Sequence, residues 1–311
     1  MTSLQGRQGD FRRQTLANMG QALREGELTV LDYYRRLLTL RAAENLGVDD
    51  GSTRTPAVMQ LIATASQADP GVAYHFLSSS VDHFATDFGD RGWGCGYRNC
   101  QMLLSSMCWD ERLARQLAGY WQVSYGHMPS VTHLQRLVET AWELGFDPEG
   151  RHALGGRVVN TCAWIGPDEI ASMLGSIYVR TKKQDFMIAG TGPRRHYTMF
   201  DWVLDYFGRA EGLAHPLYLQ HQGHSRTIVG VEVLYGERLN LLVLDPIHRP
   251  HQMSQLYDPD TAGEAMELLR LSLDDFRQPY YQVLAVSGVM GEREHQRSRG
   301  VLAPGGHYGL Y

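Results

Sequence analysis

The spacing of apolar residues changes character along this chain. In its first half they recur at helical intervals. Residues 10–46 read as helical: Thr29, with Asp32 three positions on, resembles a capping box, and Leu31, Tyr34, Leu37 and Leu38 follow at helical spacing with Leu40 beside them. The opposite face carries Arg35, Arg36 and Arg41, as a solvated helix would. Gly47–Pro56 is rich in turn residues and reads as a linker, dividing an N-terminal helical arm (1–50) from the main body (51–290). A short helix over Ala57–Ser66 stops before Asp69-Pro70-Gly71. Residues 87–94, Asp-Phe-Gly-Asp-Arg-Gly-Trp-Gly, form a glycine-rich loop that runs into a helix over Tyr97–Met107, whose Leu103, Leu104 and Met107 make a buried face. Further helices are expected at 110–122, 130–144 and 167–176. The pattern then turns β-rich. Thr227–Leu234 and Leu239–Leu244, separated by Tyr235-Gly236-Glu237-Arg238, are a strong hairpin signal. A helix near 260–271 and a strand over Tyr281–Val286 close the compact part. The polar, glycine-rich tail, 291–311, is expected to be disordered. Helices first and a mostly antiparallel sheet afterwards is the order of an α+β fold.

Composition narrows the function classes. With 311 residues, 43% of them hydrophobic and 20% charged, the chain can bury a substantial core. Its formal net charge of -5 gives no global attraction to phosphate, which argues against a dedicated nucleic-acid binder. No run reaches the ~18 apolar residues of a membrane span, and Met1–Gly6 has no apolar signal core. The expected location is therefore the cytoplasm or nucleus. Cys95, Cys100, Cys108 and Cys162 form no Cys-x-x-Cys pair and read as reduced thiols. Their spacing with histidine fits no common zinc pattern, and no metal or cofactor is expected.

The candidate chemistry sits in Gly92-Trp93-Gly94-Cys95-Gly96-Tyr97-Arg98-Asn99. Free cysteine is commonly a small core residue, and Cys100 and Cys108 are read that way. Cys95 differs because a helix follows it at once. Unpaired N–H groups and the dipole at a helix start favour the thiolate and can face a developing oxyanion. Gly94 and Gly96 are expected to let a substrate backbone approach closely. A thiolate nucleophile needs an imidazole in reach and a group to orient it. His224 lies just before the first hairpin strand; Asp245 and His248 lie just after the second. A turn centred on Gly236-Glu237 leaves Asp245 about 13 Å along the strand from the position facing His224. One centred near Leu234-Tyr235 sets the two opposite each other. Both place them on one face, and the register stays open. Gln220, four residues before His224, carries an amide that could donate to an oxyanion.

Asp90–Leu104 resembles the nucleophile motif of the papain-like ubiquitin and ubiquitin-fold-modifier proteases, most closely their zinc-finger-containing, ubiquitin-specific branch (ZUFSP/ZUP) and the short fungal Mug-type deubiquitinases. Thr161–Ile170, Pro216–Gly230 and Leu242–Pro246 resemble that branch in the same order. The resemblance implies a papain-like fold and a thiol-dependent deubiquitinase, a monomer acting on ubiquitin or polyubiquitin. It implies Cys95 as nucleophile, His224 as general base, Asp245 as its orienter and Gln220 for the oxyanion hole. The modifier proteases place histidine directly after Asp-Pro. Here Ile247 intervenes and displaces His248, so His248 and the modifier are the alternative base and substrate. A non-catalytic ubiquitin-binding adaptor is the alternative outside enzymes. Ubiquitin's tail ends in glycines and carries arginines, so Trp93 and Glu169 are carried as substrate contacts, with Asp87 and Asp168 as further acids. No Cys₂His₂ finger pattern occurs, and the N-terminal helices stand where the longer relatives bind ubiquitin.

Overall fold

The computed structural model describes residues 10–188, 196–210, 212, 214–236 and 238–299. The chain begins with α1 (Phe11–Arg24) and α2 (Val30–Leu46). It continues through β1 (Arg54–Thr55), α3 (Val58–Ala68), β2 (Val72–Leu77) and β3 (His83–Phe84) to α4 (Cys95–Met107), α5 (Glu111–Gln116), α6 (Val131–Glu143), α7 (Pro148–Ala153) and α8 (Pro167–Ser176). The sheet-forming half holds β4 (Val179–Met187), α9 (Tyr197–Gly208), β5 (Leu217–His221), β6 (His224–Leu234) and β7 (Leu239–Leu244). After α10 (Pro250–Met253) and α11 (Ala262–Leu269) come β8 (Arg270–Ser272), β9 (Tyr280–Val289) and α12 (Glu292–Ser298).

Among the described residues the main sheet is antiparallel, in the order β4-β9-β5-β6-β7-β8. The long strand β6 is its centre. One edge of β6 pairs with β7; the other pairs with β5 over its first half and β2 over its second. The fold class is α+β, as the order of elements predicts. One face of the sheet packs on α4, with Tyr218, Val229, Leu242 and Leu284 against Tyr97, Leu103 and Leu104. The other face packs on α9 through Met199, Phe200, Val203 and Phe207. This sandwich explains why α4 is buried from Gly96 to Met107. Its polar residues are all matched: Arg98 to Asp90 and Asp49, Gln101 to Asp49 and the Pro129 carbonyl. Unmatched, each would cost on the order of 1–3 kcal/mol.

The 47–56 linker is strapped down: Asp49 N–H donates to the Met128 carbonyl at 2.7 Å, and Arg54 Nε donates to Asp82 at 2.7 Å. The arm it joins is docked through α1, whose Phe11 enters the main core beside Trp93, with ring centroids 5.3 Å apart. In α2 no residue is fully buried. The tail is not disordered at its start. α12 forms because His295 stacks on Tyr178, with centroids 3.7 Å apart, and Glu294 accepts from Arg180 Nε at 2.6 Å. Residues 300–311 of the expected tail lie outside the described residues.

Candidate active site

The loop before α4 is held by one acid. Asp90 accepts from the Asp87 N–H at 2.7 Å and from Arg98 Nε at 2.7 Å, while its carbonyl accepts from the Gly94 N–H at 2.7 Å. Loop and first helical turn are therefore one hydrogen-bonded unit. Gly94, the N-cap, has no side chain to cap the first turn, whose N–H groups stay open beside Cys95. The glycines serve the protein's own packing rather than substrate access. A Cβ on Gly96 would come within 2.5 Å of the Ile165 carbonyl oxygen, and one on Gly94 would strike Asp90. Trp93 likewise packs inward. It is 4% exposed, lies between Phe11 and Tyr97, and donates its indole N–H to the Gly89 carbonyl at 3.1 Å.

The hairpin register matches neither turn centring. Near the turn Val233 faces Leu239 and Glu232 faces Asn240. Continued unchanged, that register would send His224 and Asp245 to opposite faces. A β-bulge between Ile228 and Gly230 shifts it by one residue, so that Thr227 faces Leu244. His224 and Asp245 then share a face. His224 Nε2 lies 2.9 and 2.8 Å from the two carboxylate oxygens. That leaves Nδ1 to face Cys95, the group whose pKa His224 lowers.

These contacts set the charge states. Burial opposes ionisation of Cys95, but hydrogen bonds from His224 and Ser225 and the charge on His224 outweigh it and hold the thiol below its ordinary range. Burial also opposes charge on His224, yet Asp245 and Cys95 push it up to about 9. Asp245 stays far below the carboxylate range despite burial, through His224, Arg226 and the Ile247 N–H. These shifts favour a thiolate–imidazolium pair beside a carboxylate.

Gln220 faces Ser225 across the β5–β6 ladder. Its Oε1 accepts from the Tyr218 hydroxyl at 2.7 Å and its Nε2 donates to the His221 carbonyl at 2.8 Å, which leaves one amide hydrogen. Glu169 is half-buried and accepts from the Gly166 N–H at 2.8 Å, closing the start of α8. Burial raises its pKa against that hydrogen bond. Beside it, Trp164 lies over the Gly223 turn of the β5–β6 hairpin. Asp168 pairs with Lys183, and Asp87 with Arg36 at 2.6 Å. His248 does not figure among the groups acting on Cys95. Its N–H donates to the Asp245 carbonyl, and burial holds its pKa down.

Three site residues escaped the sequence reading. Asn99 Nδ2 donates to the Cys95 carbonyl at 2.9 Å and to Ser225 Oγ at 3.0 Å, while Thr227 Oγ1 donates to Asn99 Oδ1 at 2.7 Å. It bolts the nucleophile helix to β6. Ser225 is fully buried against Cys95, and Arg226 Nε donates to Asp245 at 2.7 Å. The signal was present: Asn99 lies one helical turn after Cys95, and Ser225 and Arg226 adjoin His224.

Residues 71–284 match the model of peptidase family C78. The chain belongs to that family. Zinc finger-containing ubiquitin peptidase 1 of Homo sapiens is 36% identical over 296 residues, covering 92% of this chain and 50% of the relative. The same-named protein of Bos taurus is also 36% identical, with the same coverage. Ubiquitin carboxyl-terminal hydrolase mug105 of Schizosaccharomyces pombe is 33% identical over 174 residues, covering 53% of this chain and 65% of that one. The chain thus spans about half the length of the first two relatives. A crystal structure of UfSP from C. elegans superposes with a TM-score of 0.49 at 15% identity, covering 76% of this chain and 38% of that one. Family C78 membership carries the papain-like fold expectation with it, and no described helix is long and apolar enough to cross a membrane.

Proposed function

We propose that this C78 peptidase is a thiol-dependent deubiquitinase that hydrolyses the bond after ubiquitin's C-terminal glycine. The observation that carries the reading is His224, which is bonded to both oxygens of the Asp245 carboxylate and holds the Cys95 thiol below its ordinary range. The Cys95 thiolate attacks the glycine carbonyl, and the resulting oxyanion is met by the open N–H groups of α4 and the remaining amide hydrogen of Gln220. Collapse breaks the C–N bond as His224 gives its proton to the leaving lysine amine. Water then attacks the thioester, giving one proton to neutral His224; the thiolate leaves, and the carboxylic acid loses its remaining proton to solvent. Glu169 serves the arginines of the incoming tail. The names of the relatives support ubiquitin as substrate, and the imidazole that acts most on Cys95 is that of His224, which favours it over the modifier alternative.

Polyubiquitin is the preferred substrate in this reading. Val30, Leu31, Tyr34 and Leu38, each more than half exposed, make an apolar stripe on α2 suited to a second ubiquitin. Four free cysteines suit the reducing cytoplasm or nucleus. A ubiquitin bearing a C-terminal electrophile tests the chemistry: the full chain forms a covalent adduct and Cys95→Ala forms none. An adaptor would bind the probe without the adduct. Incubation with di- and tetra-ubiquitins beside the modifier precursor tests the substrate.

A further inference from the structure

Asp245 is held from every side. Continuing the ladder from Thr227 and Leu244 sets Arg226 directly across from it, and Arg226 Nε donates to Oδ2 at 2.7 Å. His224 Nε2 approaches that same oxygen at 2.8 Å. Oδ1 takes the second His224 contact at 2.9 Å and the Ile247 N–H at 3.0 Å. The main-chain carbonyl accepts from His83 Nε2 at 2.9 Å and from the His248 N–H at 3.1 Å. A carboxylate facing an imidazole alone can turn about its last torsion and offer either oxygen, or none, in line. With a guanidinium on one oxygen and a backbone N–H on the other, its plane is fixed.

Arg226 also acts through its charge. The groups facing His224 are Cys95 at the start of α4, Asp245 beyond β7, Arg226 on β6 itself, His221 from β5 with its ring centroid 5.8 Å away, His248, and His83 of β3 behind Asp245. Tyr281 of β9 lies against His221 at 5.5 Å. Burial is the first cause that keeps His83, His221 and His248 below the ordinary imidazole range, so they are neutral at neutral pH. Arg226 is then a second cation beside His224, for its Nε and His224 Nε2 meet the same Asp245 Oδ2 at 2.7 and 2.8 Å, and like charges held that close repel.

We propose that Arg226 is a positioning residue of this site: it locks the Asp245 carboxylate in the plane that orients His224, and its charge keeps the imidazolium willing to release its proton to the leaving amine. This rests on the Cys95–His224–Asp245 reading, so two readouts are needed. One is kcat/KM against pH for a fluorogenic ubiquitin C-terminal amide. The other is the pH dependence of Cys95 alkylation by iodoacetamide, with Cys95→Ala supplying the background from the other thiols; it needs no substrate. In Arg226→Gln the basic limb of the first and the upper step of the second both move up by about one pH unit, with kcat lowered about tenfold or more. Arg226→Lys keeps the charge and loses the fork, so its limb stays at the wild-type position while kcat falls. A uniform loss at every pH in Arg226→Gln, or a shift of equal size in Arg226→Lys, overturns the proposal. An alkylation step that shifts in a chain inert toward ubiquitin upholds Arg226 and overturns the deubiquitinase reading instead.

Discussion

Cys95 and His224 are partly buried side chains whose pKa values move against burial's direction because each acts on the other, the thiol down and the imidazole up. In the proposed mechanism the active form is the ion pair, so both ends of the pH profile follow from it. Activity rises as Cys95 loses its proton, at a pH below the ordinary thiol range, and falls as His224 loses its own near pH 9. A bell with those limbs is expected for kcat/KM. His224→Ala should lower kcat/KM by about three orders of magnitude or more, by analogy with other nucleophile–base pairs. His248→Ala should stay within a few-fold of wild type, because the imidazole that lowers the Cys95 pKa is that of His224. The reverse result would move the base to His248.

Elements decide what single residues cannot. Placing His224 beside Asp245 takes a bulge in β6, and the bulge leans on Gly230. A Cβ there would meet the Phe76 carbonyl oxygen at 2.6 Å, because β2 runs tightly past the irregular stretch. Gly230→Ala must push β2 away or move the bulge. It should cost about 1–3 kcal/mol in urea unfolding and lower kcat/KM more than KM alone explains, since the carboxylate and imidazole lose their alignment. Wild-type kinetics with lowered stability would show that the bulge tolerates movement. Hairpin strands, α4, α6 and α8 were legible because apolar periodicity marks them directly. β4 was not: its Lys182-Lys183-Gln184-Asp185 run is that of an exposed sheet edge, where charge deters pairing with other chains. α12 was missed because its stability comes from Tyr178 and Arg180, more than a hundred residues away in sequence.

Over the whole molecule, burial holds His83, His133, His215, His221 and His248 below the imidazole range, His83 as low as about 4. The unfolded chain binds these protons more readily, so stability is full above pH 6.5 and is lost as the pH falls. His83 alone accounts for a change on the order of 3 kcal/mol between pH 6.5 and 4. Urea midpoints should drop through that window, less steeply in His83→Asn. His224 works oppositely: its pairing stabilises below the imidazole range and fades as the pH passes about 9. At the same scale, Leu38→Asp on the exposed face of α2 should slow tetra-ubiquitin cleavage at least several-fold. It should leave both the melting temperature and hydrolysis of a small fluorogenic peptide unchanged. Deleting residues 1–50 is the poorer test, because it also removes Phe11 from the core.

By itself, the sequence determined the α+β order of elements, a cysteine at a helix start, and a hairpin bearing a histidine and an aspartate. Those properties are local: periodicity, glycine placement and chain order are written residue by residue. Only the tertiary structure decided which face of the hairpin those two side chains share. A one-residue register shift at the bulge reverses every side chain beyond it, and neighbouring strands fix that shift. It likewise decided that Gly94, Gly96 and Trp93 serve packing, since that follows from Asp90, Ile165 and Phe11, which close contact brings beside them.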